Sequence, residues 1–272
     1  MPELPEVETI KNELLPYVVS HRITGVTLLW DGIVHHPSVQ EFCYRLPGQV
    51  ITGVTRRGKY LMFSLSSDNV MVIHLKMSGS LLLEPATAPP VKFTRAIIHL
   101  DGEFIVLFRD PRKFGAMWLV EDPKPIIAKL GPEPLDDSFT PELLVQRLDK
   151  RTAPIKAILL DQSFVAGIGN MYADEALFAA GIHPLRLGRS LSLNEIKRLH
   201  RAIKDVLSSG IAGKGASIEN YFRPDGTLGK AHYEFRVAHG RNMTCNIHKV
   251  PIVRITVRNR GTYFCPICQP ET

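Results

Sequence analysis

An α+β chain of two parts is predicted by three features of the sequence: short alternating runs up to about residue 120, helical apolar spacing from residue 141, and a tail of paired cysteine and histidine residues. Strand-like and helix-like segments are segregated rather than interleaved. That disfavours a parallel sheet of βαβ units and favours an antiparallel β-sandwich beside a separate helical part.

The opening stretch reads as a helix. Proline suits a first helical turn, Glu6 and Glu8 suit the positive end of the dipole, and Val7, Ile10 and Leu14 recur at helical spacing. From Ile23 to Val120 the runs Ile23–Leu29, Val50–Thr55, Tyr60–Leu65, Val70–Leu75, Ala96–Leu100 and Phe104–Phe108 are β-branched or alternating, with Gly, Asp, Asn and Ser turns between them. Short connections make these strands antiparallel, and the first helix flanks the sandwich. Residues 121 to 141 hold five prolines and few regular signals, as an interdomain linker does. Beyond them apolar residues fall at helical spacing: Leu143, Leu144 and Leu148, then Ile155, Ile158 and Leu159, then Ala176, Leu177 and Ala180, then a long helix around 193–207. Gly167, Gly169 and Asn170 interrupt two of these helices, and the amides of the helix start that follows could hold a phosphate. The expected domains are 1–120 (β-sandwich), 121–140 (linker), 141–234 (helical) and 235–272 (a metal-binding hairpin).

Cys245-x-x-His248, sixteen intervening residues and Cys265-x-x-Cys268 give the spacing of a closed tetrahedral zinc site around a hairpin near 252–263. With four ligands no coordination position stays open, so the expected ion is structural. Cys43 stands alone and is assigned no chemistry. The net charge of +6 is uneven: residues 1–140 carry 14 Lys/Arg against 16 Asp/Glu, and residues 141–272 carry 19 against 11. A basic second half suits a polyanion such as nucleic acid, with salt-dependent binding. The N-terminus has no charged-then-apolar signal and no apolar run approaches 18 residues, so a cytoplasmic protein without a membrane span is expected.

Pro2 follows the initiator methionine. Once Met1 is removed it offers a secondary amine, which titrates near pH ~8 and so is partly an uncharged nucleophile near neutrality. Such an amine can attack a carbonyl-like carbon and form an iminium, and Glu3 stands beside it as a candidate general acid or base. Residue types alone leave a second reading, an ordinary proline-led helix start, and the two are compatible.

The segment P-E-L-P-E-V-E-T at 2–9 resembles the N-terminus of the bacterial formamidopyrimidine-DNA glycosylases. The resemblance continues in order through Arg57-Gly58-Lys59-Tyr60-Leu61, His74-Leu75-Lys76-Met77-Ser78-Gly79, Asp110-Pro111-Arg112-Lys113-Phe114-Gly115, Leu130-Gly131-Pro132-Glu133-Pro134, Gly167-Ile168-Gly169-Asn170 and the C-terminal Cys-x-x-Cys. It spans nearly the whole chain. It implies a monomeric, bifunctional DNA glycosylase and AP lyase that removes oxidised purines (8-oxoguanine, formamidopyrimidines) from double-stranded DNA and also cuts abasic sites. It makes the 160s a helix-two-turn-helix element and the tail a zinc finger.

By the same resemblance Pro2, Glu3, Lys59 and Arg260 are catalytic. Met77, Arg112 and Phe114 fill the gap left by a flipped base, and Lys150, Arg151, Lys156 and Asn170 contact phosphates. Without it, Met77 and Phe114 would read as core and Lys59 as part of a solvated charge run. Three departures from the family stand out. His248 replaces a cysteine, Lys92-Phe93-Thr94-Arg95 replaces a Lys-His-x-His run so that Arg95 is the candidate phosphate contact, and Val237-Ala238-His239-Gly240 replaces Val-Tyr-Gly-Arg. The nearest rival is an endonuclease VIII-like enzyme for oxidised pyrimidines, against which Leu4 speaks. A non-catalytic zinc protein that binds damaged DNA is the rival from another class. Lesion preference is expected to depend on a pocket loop over 216–229.

Overall fold

The computed structural model describes residues 1–218, 221–240 and 243–271. The chain divides into two compact units, Met1–Ala128 with Gly213–His232, and Lys129–Ala212 with Tyr233–Thr272.

The first unit opens with helix α1 (Leu4–Val18), whose Val7, Ile10, Leu14 and Val18 fall on one face and are buried. Nine strands follow: β1 (Ile23–Leu28), β2 (Val34–His36), β3 (Ile51–Arg57), β4 (Tyr60–Leu65), β5 (Val70–His74), β6 (Ser80–Pro85), β7 (Thr94–Leu100), β8 (Phe104–Arg109) and β9 (Ala116–Val120). They form a four-stranded sheet in the order β1-β7-β8-β6 and a five-stranded sheet in the order β2-β9-β5-β4-β3. One core joins them. Leu61, Phe63 and Leu65 alternate inward from β4, Ile98, Val106 and Phe108 point in from the other sheet, and the apolar face of α1 packs on the same cluster. Each fully buried Leu, Ile or Phe there contributes roughly 1.5–3 kcal/mol.

The predicted strands are all present, but the sandwich holds more. β2, β6 and β9 were not expected, nor was the short helix α2 (Val39–Arg45). Contrary to the expected all-antiparallel pairing, β2 runs parallel to β9, with Val34 opposite Met117. The 79 residues between those strands supply the long crossover that a parallel pair needs. A one-turn helix, α3 (Lys124–Ile127), closes the first pass through this unit.

The boundaries also differ from the expected ones. Residues 129–140 belong to the second unit and residues 213–232 return to the first, so the segment expected to end the helical domain packs on the sandwich instead. The reason is a set of specific anchors. Arg223 makes a forked ion pair with Glu13 of α1 at 2.7–3.1 Å, the Leu83 amide donates to the Pro224 carbonyl at 2.7 Å, and Tyr221 joins the sandwich core. Phe222 packs against the outer face of the four-stranded sheet. Much of the expected 216–229 loop is therefore pinned; its Glu219 and Asn220 lie outside the described residues.

The second unit contains helices α4 (Pro141–Leu148), α5 (Ile155–Leu159), α6 (Asn170–Ala180) and α7 (Leu193–Ala212), then the hairpin β10 (Val253–Val257) and β11 (Arg260–Phe264). Arg258 and Asn259 both take positive φ, +47° and +57°, the backbone of a two-residue hairpin turn. Gly131 lies directly against Phe164, where a Cβ would stand 2.6 Å from backbone atoms, so the Leu130–Pro134 motif braces the turn between α5 and α6.

Candidate active site and nucleic-acid interface

In the first unit Met1 is exposed while Pro2 and Glu3 are buried, Glu3 to 2%. Glu3 is the N-cap of α1, and its backbone N–H donates to the Glu6 carboxylate at 2.7 Å. The other oxygen of Glu6 accepts from the Ala216 N–H at 2.8 Å. One buried carboxylate therefore fixes both the catalytic candidates and the start of the 213–232 segment, a link that sequence reading did not anticipate.

Lys59 sits on the β3–β4 turn behind Gly58, whose φ of +56° closes the hairpin. It is only 6% exposed, so it is not the solvated lysine that its neighbourhood of charges suggested. The hairpin is tied to α1 through Glu8, whose carboxylate accepts from Arg56 at 2.7 Å, while Arg56 also donates to the Gly58 carbonyl. Across the sheet His74 pairs with Tyr60 and accepts at Nδ1 from the Lys76 N–H at 2.9 Å. Burial, with the nearby Lys76 and Lys59 ammoniums, pushes the His74 imidazole down to about 3. It is neutral at physiological pH, which leaves Nδ1 free to accept.

Met77 follows on the turn after β5, where Lys76 takes φ +53°. Arg112 and Phe114 lie on the turn between β8 and β9, both exposed. They share a side, with the guanidinium 4.8 Å from the Phe114 ring centre. The segment is not extended: Lys113 takes φ +59°, and the turn is wrapped around the fully buried Asp110. Arg95 lies beside it and donates through Nε to the Asp110 carbonyl at 2.7 Å, so its side chain braces this turn.

In the second unit Lys150 and Arg151 are exposed after α4. Lys156 departs from expectation. It is wholly buried, its ammonium 2.6 Å from Asp174 and 2.7 Å from the Asn170 carbonyl, and it has no surface to offer a phosphate. Burial pushes the Asp174 carboxyl up to about 7 against the pull of Lys156. Asn170 opens α6 and donates to the Gly261 carbonyl at 2.9 Å, and the Tyr263 N–H reaches Asp174 at 3.3 Å. The double turn and the hairpin strand carrying Arg260 are thus joined side chain to backbone, and Arg260 itself is exposed at the hairpin tip. The variant loop at 237–240 is held by Glu175, which accepts from the N–H groups of Arg236, Val237 and Ala238 at 2.7–3.0 Å.

Cys245, His248, Cys265 and Cys268 place their ligand atoms within 4.8 Å of one another, a group that could hold a metal ion. Cys245 and Cys268 sulfurs are 3.7 Å apart. The edge of a tetrahedron with Zn–S bonds of ~2.3 Å is about 3.8 Å, so the donor set and its size both fit zinc. Burial raises the Cys245 thiol, but the N–H groups of His248 and Ile247 together with the Cys265 and Cys268 side chains bring it down, while burial and the same neighbouring thiols push Cys268 up, so the cluster favours a thiolate at Cys245 first. Among the described residues, no helix is long and apolar enough to cross a membrane.

The fold and the sequence models that the chain matches place it among the helix-two-turn-helix DNA glycosylases. The sequence model of the formamidopyrimidine-DNA glycosylase N-terminal domain matches residues 1–117, and that of the formamidopyrimidine-DNA glycosylase H2TH domain matches residues 130–221. The chain is 44% identical to the formamidopyrimidine-DNA glycosylase of Chloroflexus aggregans over 99% of its own length and 98% of that protein. It is 42% identical to that of Symbiobacterium thermophilum, over 99% and 90%. Among solved structures it is similar to the Lactococcus lactis enzyme in complex with DNA containing an abasic site, at a TM-score of 0.92 and 34% identity over 99% of this chain and all of that one. A variant of the same enzyme bound to Fapy-dG DNA gives 0.93 and 34% over the same spans. The chain belongs to the formamidopyrimidine-DNA glycosylase family.

Proposed function

We propose that this protein is a bifunctional DNA glycosylase and AP lyase that excises oxidised purines from duplex DNA. The observation that carries the reading is the Pro2–Glu3 pair, buried and fixed at the start of α1 behind an exposed Met1. Removal of Met1 gives Pro2 a secondary amine. Its lone pair attacks C1′ of the damaged nucleotide, the C1′–N bond breaks, and the base departs with a proton supplied from the Glu3 side. Opening of the sugar ring leaves an iminium on Pro2, which acidifies the C2′ proton. Loss of that proton expels the 3′ phosphate, and a second elimination expels the 5′ phosphate.

In this reading Lys59 assists elimination, and Arg260 holds phosphate on the cleaved strand. Met77, Arg112 and Phe114 enter the stack where the nucleotide was extruded, with Arg112 facing the orphaned base. Lys150, Arg151, Arg95 and Asn170 are the candidate phosphate contacts, which position the protein without reading sequence. Lys156 no longer belongs with them, because its ammonium is buried on Asp174. Bound zinc supplies folding energy to the tail through Cys245, His248, Cys265 and Cys268, and so keeps Arg260 in place.

The test is a panel of duplexes carrying 8-oxoguanine, a formamidopyrimidine, an oxidised pyrimidine or an abasic site. Excision and strand cleavage should favour the two purine lesions and the abasic site. Preference for the oxidised pyrimidine would instead support an endonuclease VIII-like enzyme, and failure to cut any of them would reduce the chain to a binding protein.

A further inference from the structure

Asp110 lies on the turn between β8 and β9 and is completely buried, and it has no part in the chemistry above. Its carboxylate gathers four donors. Oδ1 accepts from the Ser78 hydroxyl and from the Arg112 N–H at 3.2 Å, and Oδ2 accepts from the N–H groups of Phe114 and Gly115 at 2.7 Å each. The first donor belongs to the turn that carries Met77. The others belong to the turn that carries Arg112 and Phe114.

Everything around the carboxylate serves the same approach. The Asp110 N–H donates to the Phe93 carbonyl at 3.0 Å and its carbonyl accepts from Arg95, so the residue is held at both backbone ends. Gly79 and Gly115 flank the Phe108 ring from the two turns, where a Cβ would come within 2.9 Å and 2.5 Å of ring carbons. Side chains at either position would push the turns apart. A buried carboxylate costs several kcal/mol in desolvation unless its lone pairs are filled, and four donors fill them. An amide could not do the same, since half of it donates.

We propose that Asp110 is a positioning residue that locks the Met77 turn and the Arg112–Phe114 turn into one rigid wedge. This rests on the reading that those three side chains enter the stack of a duplex. A wedge acts only if it does not yield when the bases resist, and three side chains on two independent turns would yield. The carboxylate makes them one body: displacing Met77 strains Ser78, and that strain is passed through Asp110 to the amides beneath Arg112 and Phe114.

The experiment compares kcat/KM on duplex 8-oxoguanine DNA with kcat/KM on single-stranded abasic DNA, using the full chain. Asp110→Asn should lower the duplex value by about tenfold more than the single-stranded value, the loss expected from leaving one or two buried amides unpaired. In a background of Met77→Ala, Arg112→Ala and Phe114→Ala, the same substitution should add little further loss, because there is no wedge left to position. Ser78→Ala removes one donor without burying a mismatched group. It should reproduce in smaller measure the selective duplex loss, and it carries the test if Asp110→Asn melts below the assay temperature. Equal losses on both substrates, or an Asp110→Asn effect that persists undiminished in the triple background, overturn the proposal. If the triple variant itself keeps its selectivity for duplex loss, the wedge reading survives that failure; if it loses activity equally on both substrates, both readings fall.

Discussion

Acid should loosen the first unit through His74, because the imidazole is held neutral between Tyr60 and the lysines beside it, down to about 3 from an ordinary value of 6.5. The folded state then binds fewer protons than the unfolded chain between pH 6.5 and 3. Stability is full above pH 6.5 and falls as pH drops through that window. At pH 5 the unfolded chain lies 1.5 units below its histidine value while the folded site is still neutral, so the loss is about 2 kcal/mol. For a domain of this size that corresponds to a melting shift of roughly 4–8 °C. His74→Asn removes the titration while keeping an acceptor for the Lys76 N–H, which His74 receives at 2.9 Å. Thermal melts of both proteins from pH 7.5 to 5 should therefore converge as pH falls, by about 2 kcal/mol in their difference. A difference that stays constant with pH would show that His74 titrates normally and that its buried neutral form has been misassigned.

Lys156→Met should destabilise the second unit by roughly 3–5 kcal/mol in urea unfolding, because it strands the Asp174 carboxylate in the interior; unchanged stability with weakened DNA affinity would restore the phosphate-contact role. Each purified chain should carry one zinc, His248→Cys should retain it, and Cys268→Ala should lose it and bind DNA more weakly as the hairpin bearing Arg260 unravels. Active protein found free of zinc by metal analysis would refute that. Met77→Ala, Arg112→Ala and Phe114→Ala should each impair duplex lesions more than single-stranded abasic DNA, since opening a stack costs a few kcal/mol per step and a single strand has none to open.

Local pattern carried most of the fold. The alternation of Leu61, Phe63 and Leu65 and the helical spacing of Val7, Ile10 and Leu14 are each imposed by one buried face, and such faces are visible in sequence. β9 was not visible because Ala116–Val120 is a continuous apolar run, with apolar Trp118 and Val120 even on its less buried face, so its sequence has no period of two. β6 ends on Pro85 and β2 has only three residues, too little for any pattern. The return of residues 213–232 to the sandwich depends on single pairings such as Glu13 with Arg223, which leave no periodic trace. The candidate site divides in the same way. Four ligands at fixed spacing made the metal cluster legible, whereas the burial of Lys156, the reach of Asp110 to the Ser78 hydroxyl and that of Glu175 to distant amides are decided by tertiary packing alone.

Covalent catalysis by Pro2 is tested by borohydride reduction during turnover. Protein incubated with duplex 8-oxoguanine DNA and borohydride should become irreversibly joined to the DNA, and peptide mapping should place the crosslink on Pro2. Protein that keeps Met1 should bind the same DNA without cutting or crosslinking. A crosslink mapped to Lys59, or full activity with Met1 still in place, would contradict the account.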